Sequence, residues 1–239
     1  MPGRAETGRG GGGGIAAVVP AYQAAATIGE VVSRTRGAVP AGRVYVVDDG
    51  SADPTGTEAA RVGATVLTHP RNRGKGAALA TGIQRALADG AAIVVTLDGD
   101  GQHPPEEILR LVAPIAQGVA DLVLGARART GSMPWSRRCS NWLSATLASR
   151  VGRVPVADAQ TGFRAFSRRV AETVRPDESR YDFESAFLLA ALVAGYRVRS
   201  VPVPTIYAGA PSHFRSWADT WRLARVFSRY GGRILFGAK

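Results

Sequence analysis

Residues 91–105 read Ala91-Ala92-Ile93-Val94-Val95-Thr96-Leu97-Asp98-Gly99-Asp100-Gly101-Gln102-His103-Pro104-Pro105. The first seven form a short apolar run, suited in length to a buried strand and too short for a helix. Two carboxylates follow at once, spaced by glycines that let the backbone turn tightly. Pro104-Pro105-Glu106-Glu107 then marks a helix start, with proline early and acids in the first turn. A buried strand, an acidic turn and a helix start in succession predict one β-to-α unit of an α/β sheet.

The same unit recurs on either side. Residues 15–19 predict a strand stopped by Pro20, and Thr27 predicts a cap for a helix to residue 35 on Ile28, Val31 and Val32. Residues 43–47 predict a second strand, ended by the turn sequence Asp48-Asp49-Gly50-Ser51, with Asp53 or Thr55 capping the next helix. Strands over 64–68 and 121–125 and a helix over 76–88 complete the alternation. The pattern predicts an α/β fold: one domain with a mostly parallel central sheet and helices on both faces. Ligands of such sheets sit at the carboxyl ends of strands, and Asp48, Asp49, Asp98 and Asp100 all fall there.

The flanks are less regular. Residues 1–14 end in five glycines and predict a disordered lead-in. Amphipathic helices are expected over 136–150 and 216–230. A buried helix is expected over 183–194, with Gly195 as its C-cap. Residues 158–166 predict a polar loop or short strand, and 197–203 an extended segment. The expected organisation is a Gly-rich segment (1–14), the α/β domain (15–212), and a C-terminal amphipathic helix and tail (213–239).

Thirty Lys and Arg against 19 Asp and Glu give a formal charge of +11, almost all of it from Arg, since Lys75 and Lys239 are the only lysines. Such a balance favours anionic partners: phosphates or a membrane surface. A nucleic-acid role would rest on charge alone, because no recognition motif accompanies it. Cys139 is the only cysteine, which excludes an internal disulfide and suits a reducing compartment. No secretory leader and no apolar run of about 18 residues is present, so the expected location is cytoplasmic, peripheral at the inner face of the membrane.

Asp98-Gly99-Asp100-Gly101-Gln102 offers two carboxylates that can converge on one divalent cation. Oxygen-only ligands suit Mg²⁺ or Mn²⁺, which keep positions open for substrate phosphates. Asp-x-Asp alone also occurs in ordinary surface turns; the buried strand before it and the helix start after it favour the metal reading. Asp48 can hydrogen-bond a base or ribose, with Tyr22 of Val18-Val19-Pro20-Ala21-Tyr22 lining the base pocket. Arg71-Asn72-Arg73-Gly74-Lys75-Gly76 precedes a helix whose N-terminus attracts anions, but it lacks the spacing of an ATPase phosphate loop.

These motifs, with Gly125-Ala126-Arg127, Gln160-Thr161-Gly162-Phe163-Arg164 and residues 207–213, resemble glycosyltransferase family 2 over residues 15 to about 225. Within it, the chain is similar to the dolichyl- and polyprenyl-phosphate sugar synthases. The resemblance implies a GT-A fold and an inverting transfer of a hexose from a GDP- or UDP-sugar to a polyprenyl phosphate. It assigns Pro20, Tyr22, Val46, Asp48, Lys75, Asp98 and Gly99 to the nucleotide sugar, and Asp100 and Gln102 to the metal. Asp98, Asp100 and Arg127 are the implied catalytic residues. Arg127, Arg137, Arg138, Ser140 and His213 are the implied contacts of the acceptor phosphate, which bidentate arginines suit.

Two departures stand out. The family's Asn-Glu after the first Tyr is Gln23-Ala24 here. The late loop has Thr205-Ile206-Tyr207 and Ser212-His213, where mannosyl enzymes carry an Arg before Tyr and end in Ser-Lys. Peripheral membrane contact is expected through residues 135–150, with Trp142, Leu143 and Leu147, and through 213–230, with Phe214, Trp217, Trp221, Phe227 and Tyr230 among arginines. A hydroxyl acceptor, as in cell-envelope polysaccharide or glycolipid synthesis, would instead need a carboxylate base, with Asp158, Asp182 and Glu184 as candidates.

Overall fold

The computed structural model describes residues 14–39, 42–127, 135–176 and 183–204, and only the backbone of 135–140. The segments 1–13 and 205–239, with Tyr207, His213 and the predicted 216–230 helix, lie outside the described residues, as does Asp182.

In chain order the elements are β1 (Ile15–Ala21), α1 (Ala25–Ala38), β2 (Arg43–Asp48), α2 (Thr55–Arg61), β3 (Thr65–Thr68), α3 (Lys75–Ala88) and β4 (Ile93–Thr96). A 3-10 turn over Pro105–Glu107 leads into α4 (Ile108–Ala116), then β5 (Leu122–Arg127), α5 (Trp135–Gly152), β6 (Arg164–Ser167), α6 (Arg168–Thr173), α7 (Phe183–Val193) and β7 (Val198–Val203).

The seven strands form one sheet in the order β3-β2-β1-β4-β6-β5-β7. It is mostly parallel: β6 alone runs against its neighbours β4 and β5. Side chains alternate between the two faces, as strand geometry requires. Ala16 and Val18, Tyr45, Val94, Leu122 and Leu124 join one core with residues of α3, α5, α6 and α7. Ala17 and Val19, Val44 and Val46, Val95 and Leu97, and Val123 join the other, with Ile28, Val31 and Val32 of α1 and Ile108, Leu111 and Ile115 of α4. Helices therefore cover both faces, as the alternation predicted.

Pro20 does not stop β1. The strand continues to Ala21, with Pro20 opposite Val47 and Ala21 opposite Asp48. Val18 O accepts from Leu97 N, so the even-numbered residues of β1 face β4. Pairing with β4 ends at Val18, and the N–H that Pro20 lacks falls where no ladder bond is required.

Caps also differ from expectation. Thr27 does not cap α1; its hydroxyl donates to Gly99 O at 2.7 Å. The first turn of α1 is held instead from the segment after β2, where Thr55 Oγ1 at the start of α2 accepts from Ala24 N and Asp53 Oδ2 from Ala25 N. This ties the β1 and β2 strand ends together beside the acidic turn of β4. Among the described residues no helix is long and apolar enough to cross a membrane.

Candidate active site

The chain leaves β1 for β2 on one side, while β4 pairs on the other. This switch in strand order opens a crevice at the carboxyl ends, the usual ligand position of such a sheet. Pro20 to Tyr22, Asp48 and Asp98 lie at those ends. Tyr22 is half exposed, with its hydroxyl accepting from Gln23 Nε2. Asp48 is buried, and its Oδ1 accepts from Ser51 N at 3.0 Å, closing the turn. Val46 is a correction: it is fully buried among the core residues beneath β2 and offers no surface to a ligand.

Asp98 is the centre of a charge cluster. Lys75 Nζ lies 2.6 Å from Asp98 Oδ1 and 2.6 Å from Glu184 Oε1, bridging the two carboxylates. His103 Nε2 stands 3.6 Å from Asp98 Oδ2. Burial alone would raise the Asp98 carboxyl, but the Lys75 ammonium and His103 overcome it and hold the group well below the usual carboxylate range. Lys75 is held above its ordinary value for the same reason: burial works against its charge, and Asp98 and Glu184 outweigh it. Lys75, expected at the nucleotide, thus lies in the site on two of its acids.

Behind this cluster sits Arg164, which donates to the carbonyls of Thr161, Ala159 and Glu184. Burial pushes its guanidinium down to about 10, with Glu184, Asp158 and Asp98 partly offsetting that cost; it remains cationic at neutral pH. Gly162 presses on the same carboxylate, since a Cβ there would lie 2.7 Å from Asp98 Oδ1. Glu184 Oε2 and His103 Nδ1 are buried without a hydrogen-bond partner among the described residues, leaving polar capacity for a ligand or water.

Asp100 differs from Asp98 in every respect that matters for a cation. It is exposed, and its described interaction is one hydrogen bond, Gln102 N to Oδ1 at 3.0 Å. Asp100 therefore has lone pairs that could hold a divalent ion, and Gln102, two residues on, carries a further side-chain oxygen. Among the described residues no group of three or more His, Cys, Asp or Glu could hold a metal. The donor set fits an ion that takes its remaining ligands from water and a diphosphate, the habit of Mg²⁺ and Mn²⁺.

Arg127, at the end of β5, is gripped by the buried Asp158, with Nε–Oδ2 at 2.7 Å and Nη2–Oδ1 at 3.2 Å. Asp158 Oδ1 also accepts from Gln160 N. Arg137, Arg138 and Ser140 fall in the first turns of α5, where only the backbone is described. The sequence reading named Asp158 and Glu184 only as bases and missed their roles as partners of Arg127 and Lys75. No local spacing links residue 75 to residue 184, and only the fold reveals that pair.

Solved structures define the class: the chain has the fold of GT-A glycosyltransferases. A crystal structure of glucosyl-3-phosphoglycerate synthase from Mycobacterium tuberculosis, in complex with Mn²⁺ and UDP-glucose, superposes with a TM-score of 0.71 at 26% identity, covering 92% of this chain and 80% of that one. The sequence profile of glycosyl transferase family 2 matches residues 16–175, and the chain belongs to that family. It is 35% identical over 199 residues to an uncharacterised protein of Methanocaldococcus jannaschii, covering 81% of this chain and 82% of that one. It is 31% identical to a polyprenol monophosphomannose synthase of Mycolicibacterium smegmatis, with 78% and 75% covered.

Proposed function

We propose that this glycosyltransferase moves a hexose from a GDP- or UDP-sugar to a polyprenyl phosphate, with inversion and with Mg²⁺ or Mn²⁺. The observation that carries this reading is the state of the carboxylates. A hydroxyl acceptor needs a base within reach. Both oxygens of Asp158 are held by Arg127, and Lys75 sits on Glu184 Oε1, so a proton on either acid would weaken an ion pair of the site. A phosphate acceptor is already an anion and needs cations to hold it, which Arg127 and the arginines at the start of α5 supply. The name of the Mycolicibacterium relative points the same way.

In this reading Pro20, Tyr22 and Asp48 receive the nucleoside, and Asp98 orients the sugar. Asp100 and Gln102 hold the metal, which when bound neutralises the charge growing on the leaving diphosphate. A phosphate oxygen of the acceptor attacks C1 from the face opposite the diphosphate, the C1–O bond breaks, and the configuration inverts. Lys75 balances Asp98 and Glu184 so that the acids do not repel the incoming donor phosphates. Arg127, Arg137, Arg138, Ser140 and His213 hold the acceptor phosphate.

Membrane contact through α5 belongs to the same proposal. Trp142 and Leu143 are 58% and 45% exposed on a helix whose opposite side, Ser144, Ala145 and Ala148, is buried. An exposed tryptophan beside arginines suits the headgroup region. A second reading, transfer to a hydroxyl acceptor, follows from the likeness to glucosyl-3-phosphoglycerate synthase.

The test offers GDP-mannose, UDP-glucose and UDP-N-acetylglucosamine with Mn²⁺ or Mg²⁺ to undecaprenyl phosphate and, separately, to 3-phosphoglycerate. Mass spectrometry reads the products. A glycosylated lipid phosphate is expected; product from 3-phosphoglycerate alone would overturn the lipid assignment.

A further inference from the structure

Asp49, the second acid of the turn after β2, has no part in the donor reading above, yet it is more deeply buried than Asp48, at 3% exposed. Both its oxygens are engaged. Oδ1 lies 2.6 Å from His69 Nδ1 and accepts from Arg73 N at 3.0 Å; Oδ2 accepts from Gly74 N at 2.7 Å. His69 is also buried, and its Nε2 lies 3.0 Å from Thr81 Oγ1. Thr81 Oγ1 also lies 3.0 Å from Ala77 O, one turn back in the same helix. The imidazole therefore clamps a carboxylate on one side and α3 on the other.

These contacts converge on one point. Gly74, with φ 96°, is the N-cap of α3, and no side chain of its own segment caps it. The N–H groups of a helix start need acceptors, and Asp49 supplies one from a different element. The turn around Gly50 packs so closely on the loop that a Cβ there would lie 2.5 Å from the Arg71 carbonyl carbon. The next residue after Gly74 is Lys75, which bridges Asp98 and Glu184.

We propose that Asp49 and His69 are a positioning pair that fixes the N-terminus of α3 and so holds Lys75 on Asp98. The proposal rests on the reading of Asp98 as a donor-site residue. Neither Asp49 nor His69 touches substrate in this account; they act through the Arg73 and Gly74 amides.

Amine-reactive labelling read by peptide mass spectrometry tests this, because Lys75 and Lys239 are the only lysines of the chain. The variants are Asp49→Asn, His69→Gln and Thr81→Val. The control is Tyr45→Phe, which removes a hydroxyl bonded to Asp89 at the other end of α3 and lies outside the site. Modification of Lys75 relative to Lys239 is expected to rise about tenfold in Asp49→Asn and His69→Gln, the effect of losing one charge-assisted contact on a local opening. The double variant is expected to match the faster single one, as for residues acting as a unit. The control should stay at the wild-type rate.

Equal labelling in all variants, or acceleration by Tyr45→Phe as large as by Asp49→Asn, overturns the proposal. If Asp49→Asn does not fold, His69→Gln and Thr81→Val give the same readout. Labelling needs no donor or acceptor. Unchanged labelling with normal sugar transfer therefore defeats this inference alone, and a wild-type protein that transfers no sugar defeats the functional reading alone.

Discussion

Lys75→Met isolates the interaction on which the buried acids depend. It leaves Asp98 and Glu184 with the more distant Arg164 to balance them, and because Lys75 and Asp98 are partly exposed the loss should be about 1–3 kcal/mol, below that of a fully buried pair. Urea unfolding should show that loss. The pH dependence follows from Asp98, whose folded carboxyl is held below its unfolded range. The unfolded chain binds a proton there more readily, so this stabilisation is present in full above about pH 4 and is lost as pH falls below that value. Unfolding free energy should therefore decline on acidification, and less steeply in Lys75→Met. Asp100→Ala leaves the cluster intact but removes the exposed carboxylate; metal-dependent turnover should drop by at least about a hundredfold, with the unfolding midpoint unchanged. Survival of that turnover would show that Asp100 does not hold the metal.

Among elements, α3 does most to shape the site, and its packing limits are set by Gly82. A Cβ at Gly82 would lie 2.4 Å from Val18 Cγ1 and 3.0 Å from Val47 Cγ2, both on buried strands. Gly82→Ala should cost about 1–3 kcal/mol by overpacking. Gly37→Ala, near the end of α1 with nothing within 4 Å, should instead gain about 0.5 kcal/mol, and thermal unfolding of the two separates the cases. Strand existence was legible because apolar runs such as Val44 to Val47 have no other stable reading. The placement of β6 was not: four residues, Arg164 to Ser167, carry too little pattern, and insertion between β4 and β5 is decided by long-range pairing. The acids at strand ends were legible for the same local reason as the strands. Their partners Lys75, Glu184 and Arg127 with Asp158 were not, because each pair joins segments far apart in sequence.

For the whole molecule, the net charge of +11 and the exposed Trp142 and Leu143 of α5 belong together if the acceptor is presented at a bilayer. The protein should sediment with anionic vesicles at low salt and be released as salt is raised; replacing both residues by serine should weaken binding, and absence of binding at low salt would remove the membrane part of the account. A site that serves an acceptor already anionic should choose a lipid phosphate over the matching alcohol. The most direct measurement gives the wild-type protein a nucleotide sugar, Mn²⁺, and an equimolar mixture of undecaprenyl phosphate and undecaprenol, then weighs the lipid products by mass spectrometry. Sugar on the phosphate and none on the alcohol is the expected result; glycosylated undecaprenol as the main product would contradict an anionic acceptor.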